Sequence, residues 1–165
     1  MLEWSYNQNE HQVANRVPFR PLTTTGIEDK TNYSKLNKFQ VLERGHKVAI
    51  IGLGTFFELG EKVKTEIKSK LGINATLINP KFITGIDKEL LEDLKSDHDI
   101  VITLEDGILN GGFGEKIASF YGNSDMKVLN YGAFKEFTDR IPLDELYERY
   151  RLKKELITED ISKLV

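Results

Sequence analysis

Lys47-Val48-Ala49-Ile50-Ile51-Gly52-Leu53-Gly54-Thr55 is the stretch on which the fold turns. Five of its first six residues are apolar or small, with no alternation, as expected of a strand buried on both faces of a sheet. The glycines that close it mark a sharp exit. Beyond them, residues 57–71 carry Leu59, Val63, Ile67 and Leu71 at intervals of four, which places one apolar stripe along a helix. Gly72 ends that helix, because glycine accepts the left-handed conformation of a helix C-cap at little cost. A strand buried on both faces followed by an amphipathic helix is half of a parallel α/β unit.

The rhythm repeats downstream. Ala75–Asn79 (ATLIN) is a second apolar run, cut off by Pro80. Asp87 suits the N-cap of a helix over residues 88–95, with Leu90, Leu91 and Leu94 on one face. Ile100–Leu104 (IVITL) is a third buried run, and a glycine-led helix over 111–121 follows with Ile117 and Phe120 at helical spacing. Lys127–Asn130 (KVLN) is the fourth run. After Pro142, residues 143–150 and 159–164 read as two closing helices, with Tyr147 and Tyr150 on a packing face. Alternating strands and helices imply a three-layer α/β/α domain around a mostly parallel sheet.

Upstream of this body the texture changes. Residues 2–8 read as a short helix end, and Val13–Val17 as a strand-like run stopped by Pro18 and Pro21. Residues 22–38 are polar and rich in turn formers, the composition of a linker. Phe39–Glu43 then reads as an edge strand, closed by Arg44-Gly45. The expected division is residues 1–20, residues 21–45 as linker and edge strand, and residues 46–165 as the α/β domain.

Bulk properties remove several classes. At 165 residues the chain suits one sizeable core, and 39% hydrophobic with 30% charged residues is an ordinary globular mixture. A net charge of −3 lacks the basic excess of a nucleic-acid footprint. No apolar stretch approaches the roughly 20 residues of a membrane span, so neither nucleic acid nor membrane is an expected partner. The absence of cysteine excludes disulfides, thiolate metal sites and thiol catalysis, and fits a cytoplasmic location.

Gly52-Leu53-Gly54 sits where a dinucleotide fingerprint would, but Phe57 occupies the place of its third glycine and the second strand ends at Asn79-Pro80 without an acidic residue. A tight strand-to-helix turn is the better reading. Glu105-Asp106, followed by Gly111-Gly112-Phe113-Gly114, lies at the carboxyl end of the third buried run and feeds a helix. Its exposed amides could hold an anion, or the two carboxylates could work as acid and base. Alternatively, the carboxylates cap nearby amides while the glycines permit close packing. His11, His46 and His98 have no partners at metal-ligand spacing, so no metal site is expected. His98, within Ser96-Asp97-His98-Asp99, reads as part of a solvated turn, and His46 as exposed. No catalytic constellation is complete within the chain.

These motifs, in this order, resemble the end of the 1-deoxy-D-xylulose-5-phosphate synthase family, thiamine-diphosphate enzymes of the transketolase type. The resemblance rests on Val48–Thr55, on Asn79-Pro80-Lys81-Phe82-Ile83 with Ile86-Asp87 and Leu90-Leu91, on Thr103–Gly107 with Gly111–Gly114, and on Val128–Gly132 with Glu136-Phe137. Leu2-Glu3-Trp4, Val13-Ala14 and Arg16-Val17-Pro18 resemble the tail of a preceding pyrimidine-binding domain. The resemblance implies a five-stranded mixed sheet with one antiparallel edge, for which Phe39–Glu43 is the candidate. It also implies a parent reaction joining pyruvate and glyceraldehyde 3-phosphate with loss of carbon dioxide, toward isoprenoid precursors. Thiamine diphosphate and Mg²⁺ would be held by the two preceding domains of a homodimer, with neither bound by this chain alone. Arg20, reached by a one-residue shift in Arg16-Val17-Pro18-Phe19-Arg20, is the candidate for a substrate phosphate. Glu105, Asp106, Gly111, Gly112 and Gly114 are candidates for a domain contact or an anion turn. Thr84-Gly85 stands where the family has lysine-proline, a departure that points to a divergent member.

Overall fold

The computed structural model describes residues 1–17 and 32–165. They fall into two compact units, Met1–Leu36 and Asn37–Val165. In the first, helix α1 (Leu2–Asn7) is followed by residues without regular structure, and Trp4 stacks near Tyr33 with ring centroids 6.2 Å apart. Val13–Val17 is not a strand: it joins no sheet, and an apolar run without a neighbouring strand has no ladder to satisfy its amides.

The second unit holds one five-stranded sheet. Its elements in chain order are β1 (Gln40–Glu43), β2 (Lys47–Gly52), α2 (Phe57–Leu71), β3 (Thr76–Asn79), α3 (Lys88–Leu94), β4 (His98–Ile108), α4 (Phe113–Tyr121), β5 (Lys127–Ala133), α5 (Leu143–Arg149) and α6 (Lys154–Ser162). The strand order is β1-β3-β2-β4-β5, with β1 antiparallel to β3 and the remaining pairs parallel. The fold class read from the sequence, three-layer α/β/α on a mixed and mostly parallel sheet with residues 39–43 at its antiparallel edge, is the one observed. That edge strand belongs to the α/β body, which begins at Asn37. A register shift between Val41 and Glu43 bends β1, which blunts an otherwise open edge.

Two apolar layers flank the sheet. Val48, Ile50, Ile100, Ile102 and Leu104 point to one side, against Val63 and Ile67 of α2 and Ile157 and Ile161 of α6. Ala49, Ile51, Ile78 and Val101 point to the other, against Leu91 and Leu94 of α3 and Phe113, Ile117 and Tyr121 of α4. Every side chain of Val48–Ile51 is fully buried, as a continuous apolar run in a central strand requires. The Gly52-Leu53-Gly54 motif is a turn: the Leu53 amide donates to the Leu104 carbonyl at 2.9 Å, and a Cβ on Gly52 would lie 2.7 Å from the Phe57 Cα.

The last helix begins five residues before the expected residue 159. Lys154 at its start pairs with Glu66 on α2 at 2.8 Å, and Arg151 just before it grips both carboxylate oxygens of Asp160 at 2.7 Å. Burial would raise the Asp160 carboxyl, but Arg151 and the Tyr131 hydroxyl outweigh it and hold the group below its ordinary value. The Tyr131 phenol is pushed up, by burial first and by Asp160 second.

Candidate functional site

The carboxyl ends of β4 and β5 bring most of the sequence candidates together. Strand β4 is longer than its apolar run suggests, because pairing continues past Leu104 through an irregular stretch to Ile108, opposite Ala133. Glu105 therefore lies within a strand, 4% exposed, and its side chain turns back under the start of α4. Its Oε2 accepts from the Phe113 amide at 2.8 Å, and its Oε1 from the Gly114 amide at 3.0 Å. Both donors belong to the first turn of α4, where amides lack intrahelical acceptors and the helix dipole favours a negative charge. Just before them, the Gly112 amide donates to the Leu109 carbonyl at 2.9 Å and the Gly111 amide to Glu115 Oε2 at 2.8 Å.

The glycines serve this approach. A Cβ on Gly112 would stand 2.6 Å from Glu105 Oε1, and one on Gly114 would stand 2.5 Å from Thr103 Oγ1. Thr103 in turn donates to Asn130 Oδ1 across the β4–β5 pair at 2.7 Å. Of the two carboxylates considered together in the sequence, only Glu105 turns inward; Asp106 is exposed. The pair does not converge as an acid–base dyad, and the helix amides that could receive an anion already hold the carboxylate of Glu105. Arg20 lies outside the described residues.

Among the described residues, one further carboxylate and one imidazole are buried. Asp87 caps α3, accepting from the Leu90 amide at 3.4 Å, and ties the approach to β1 by accepting from the Phe39 amide and Lys38 Nζ, each at 3.1 Å. His98 corrects the expectation of a solvated turn: it opens β4 at 4% exposure. Its Nδ1 stands 2.6 Å from Asp97 Oδ1 and 3.2 Å from the Leu94 carbonyl, both acceptors, so this nitrogen carries a proton. Its Nε2 meets Thr76 Oγ1 at 2.7 Å, and that hydroxyl also accepts from the Gly45 amide at 2.8 Å. The imidazole thus links the α3 exit to β3 and the start of β2. Burial works to raise the Asp97 carboxyl, but hydrogen bonds from His98 and Arg44 hold it below its ordinary value. The polar neighbours Ser96, Asp97 and Asp99 mask this role in the sequence, since nothing local reveals that Thr76 lies across from the ring.

Glu136, to which the local sequence gives no structural role, is clamped. Tyr150 donates to its Oε1 at 2.7 Å and Arg149 to its Oε2 at 2.5 Å. Among the described residues, no group of three or more His, Asp or Glu side chains could hold a metal ion.

Residues 37–157 match the family described as the transketolase C-terminal domain, and the chain belongs to that family. Within it, the chain is 34% identical to 1-deoxy-D-xylulose-5-phosphate synthase of Clostridium tetani and 30% identical to that of Pseudoalteromonas translucida, in each case over 167 aligned residues. Those alignments take in 100% of this chain and 26% of each relative, so the chain spans about a quarter of the length of the curated relatives it matches. Among solved structures, a split-gene transketolase described as an inactive β4 tetramer superposes with a TM-score of 0.66 over 77% of this chain and 41% of its own, at 23% identity. That likeness is one of fold.

Proposed function

We propose that this chain is the C-terminal domain of a thiamine-diphosphate-dependent 1-deoxy-D-xylulose-5-phosphate synthase, and that it serves the enzyme through domain and dimer contacts rather than through a reaction centre of its own. The observation that carries the second half is the use made of the buried titratable groups. Asp87, His98 and Glu105 are all engaged by the scaffold: two carboxylates on helix amides, one imidazole between two strands and a helix. A general acid or base needs a group free to exchange its proton with a substrate, and each of these is held by partners inside the fold. The turn at Gly111–Gly114 offers a diphosphate no open helix terminus, since Glu105 and Glu115 already accept from the amides of Gly111, Phe113 and Gly114. The similarity to the synthases over the whole chain supports the first half.

On this reading the parent enzyme joins pyruvate to glyceraldehyde 3-phosphate in the cytoplasm, with cofactor and metal on the other domains. The test supplies the N-terminal and pyrimidine-binding domains of the same enzyme on a second polypeptide, with thiamine diphosphate and Mg²⁺. Adding this chain should raise formation of 1-deoxy-D-xylulose 5-phosphate several-fold, while the cofactor and metal titrated into the chain alone should give no calorimetric heat. A micromolar dissociation constant for the chain alone would refute the reading. The alternative is a split-gene arrangement, in which the chain is a subunit in its own right. It is distinguished by co-purification of the natural chain with a larger thiamine-dependent partner.

A further inference from the structure

The α/β unit does not expose its large apolar side chains evenly. Among the described residues of that unit, apart from the edge strand β1 and the terminal Val165, those exposed are Ile83, Ile108, Phe134, Phe137 and Leu143. All five follow the carboxyl end of a parallel strand: Ile83 after β3, Ile108 at the end of β4, and Phe134, Phe137 and Leu143 after β5. Phe137 is 98% exposed.

The segment carrying these aromatics is fixed from below. Glu136, next to Phe137, is held by Tyr150 and Arg149, and its amide donates to the Phe134 carbonyl at 2.9 Å. The Phe134 ring meets Tyr150 edge to face, with centroids 5.1 Å apart. On the β3 side, Lys116 of α4 donates to the Ile83 carbonyl at 2.8 Å. An aromatic presented on an already ordered loop loses little entropy on docking, which is what an interface anchor requires.

We infer that this carboxyl-end face, anchored by Phe137 and Phe134, is where the remaining domains of the parent enzyme dock. The inference rests on the proposed function and names the surface it uses. Two observations bear on the occupant, the filled helix amides and the length of the relatives. The amides of Phe113 and Gly114 at this end are filled by Glu105, so the start of α4 is closed to a small anionic ligand. Among the described residues, Phe134 and Phe137, both on the segment that follows β5, are the two large aromatic side chains this face leaves exposed. Area alone does not separate a second copy from further domains, since a symmetric pair would bury this face twice. The relatives are about four times as long as this chain, which leaves ample protein to cover the patch and its polar rim.

The test measures assembly of the 165-residue chain with a second polypeptide carrying the N-terminal and pyrimidine-binding domains, by sedimentation velocity across a concentration series. F137S should weaken the complex about 10–30-fold while leaving the chain's own melting curve unchanged; F134S should weaken it similarly, with a small fall in melting temperature from loss of the Phe134–Tyr150 contact. L42S, on the exposed edge strand β1, should leave the complex unchanged. Wild-type assembly with undiminished affinity in F137S and F134S would overturn the inference while the proposed function stands, as would equal weakening by L42S. A dimer of the chain alone that F137S dissolves would assign the face to a second copy, and so also overturn it. No assembly of the wild-type chain with those domains would sink the inference and the proposed function together.

Discussion

Replacing Glu105 with alanine tests most sharply how the strand-to-helix junction is built. The substitution removes the acceptor of two amides, Phe113 and Gly114, at a position 4% exposed. A buried donor left unsatisfied costs about 1–3 kcal/mol, so two cost about 2–6 kcal/mol. Loss of the negative charge at the start of α4 acts in the same direction. Against a domain stability of about 5–15 kcal/mol this is a large fraction. At about 2–4 °C per kcal/mol for a chain of this size, the melting temperature should fall by about 5–20 °C. Glu105→Gln keeps one acceptor oxygen but turns an amino group toward the other amide, so it should fall between wild type and Glu105→Ala. Asp106→Asn, at the exposed neighbour, should cost less than about 1 kcal/mol. Urea unfolding followed by far-UV circular dichroism gives the magnitudes, and amide hydrogen exchange at Phe113 and Gly114 gives the location. A Glu105→Ala variant within 1 kcal/mol of wild type, with protection at both amides intact, would refute the capping role.

Other outcomes follow from the same geometry. Gly114→Ala should be far more damaging than Gly111→Ala. The first drives a Cβ to 2.5 Å from Thr103 Oγ1, whereas the second meets no atom within 4 Å and bears only the strain of a φ of +73°, about 1–2 kcal/mol; paired thermal melts decide it. Thr76→Val leaves His98 Nε2 and the Gly45 amide without a hydroxyl, and should cost about 2–4 kcal/mol by urea unfolding, with altered imidazole resonances in NMR. Stability should decline on acidification below about pH 4: the folded carboxyls of Glu66, Asp97 and Asp160 titrate below their unfolded values, so their contribution is complete above the unfolded range and lost as pH falls through the folded one. Asp160→Asn should flatten that acid limb.

The parts of the fold readable from sequence are those in which local pattern and tertiary demand agree. Val48–Ile51 admits little but a central strand, the four-residue spacing from Leu59 to Leu71 little but a helix on one core layer, and Asp87 sits where an N-cap must. The failures share a cause, partners remote in sequence. Val13–Val17 has the residues of a strand and no sheet to join. His98 sits among polar neighbours but is drawn inside by Thr76, which is 22 residues away. Helix α6 starts early because Lys154 answers Glu66, 88 residues distant. At the candidate site, the glycines of 111–114 were legible as close-packing positions, and capping was one of the readings open for Glu105. What selects it is the continuation of β4 past its apolar run, which no periodicity signals.

The central claim is that this domain's buried acids and imidazole hold the scaffold and leave none for chemistry. It is tested most directly by incubating the purified chain with pyruvate, glyceraldehyde 3-phosphate, thiamine diphosphate and Mg²⁺ and following carbon dioxide release. The expected result is release at the rate of the protein-free control. Release that rises in proportion to the chain's concentration would contradict the account.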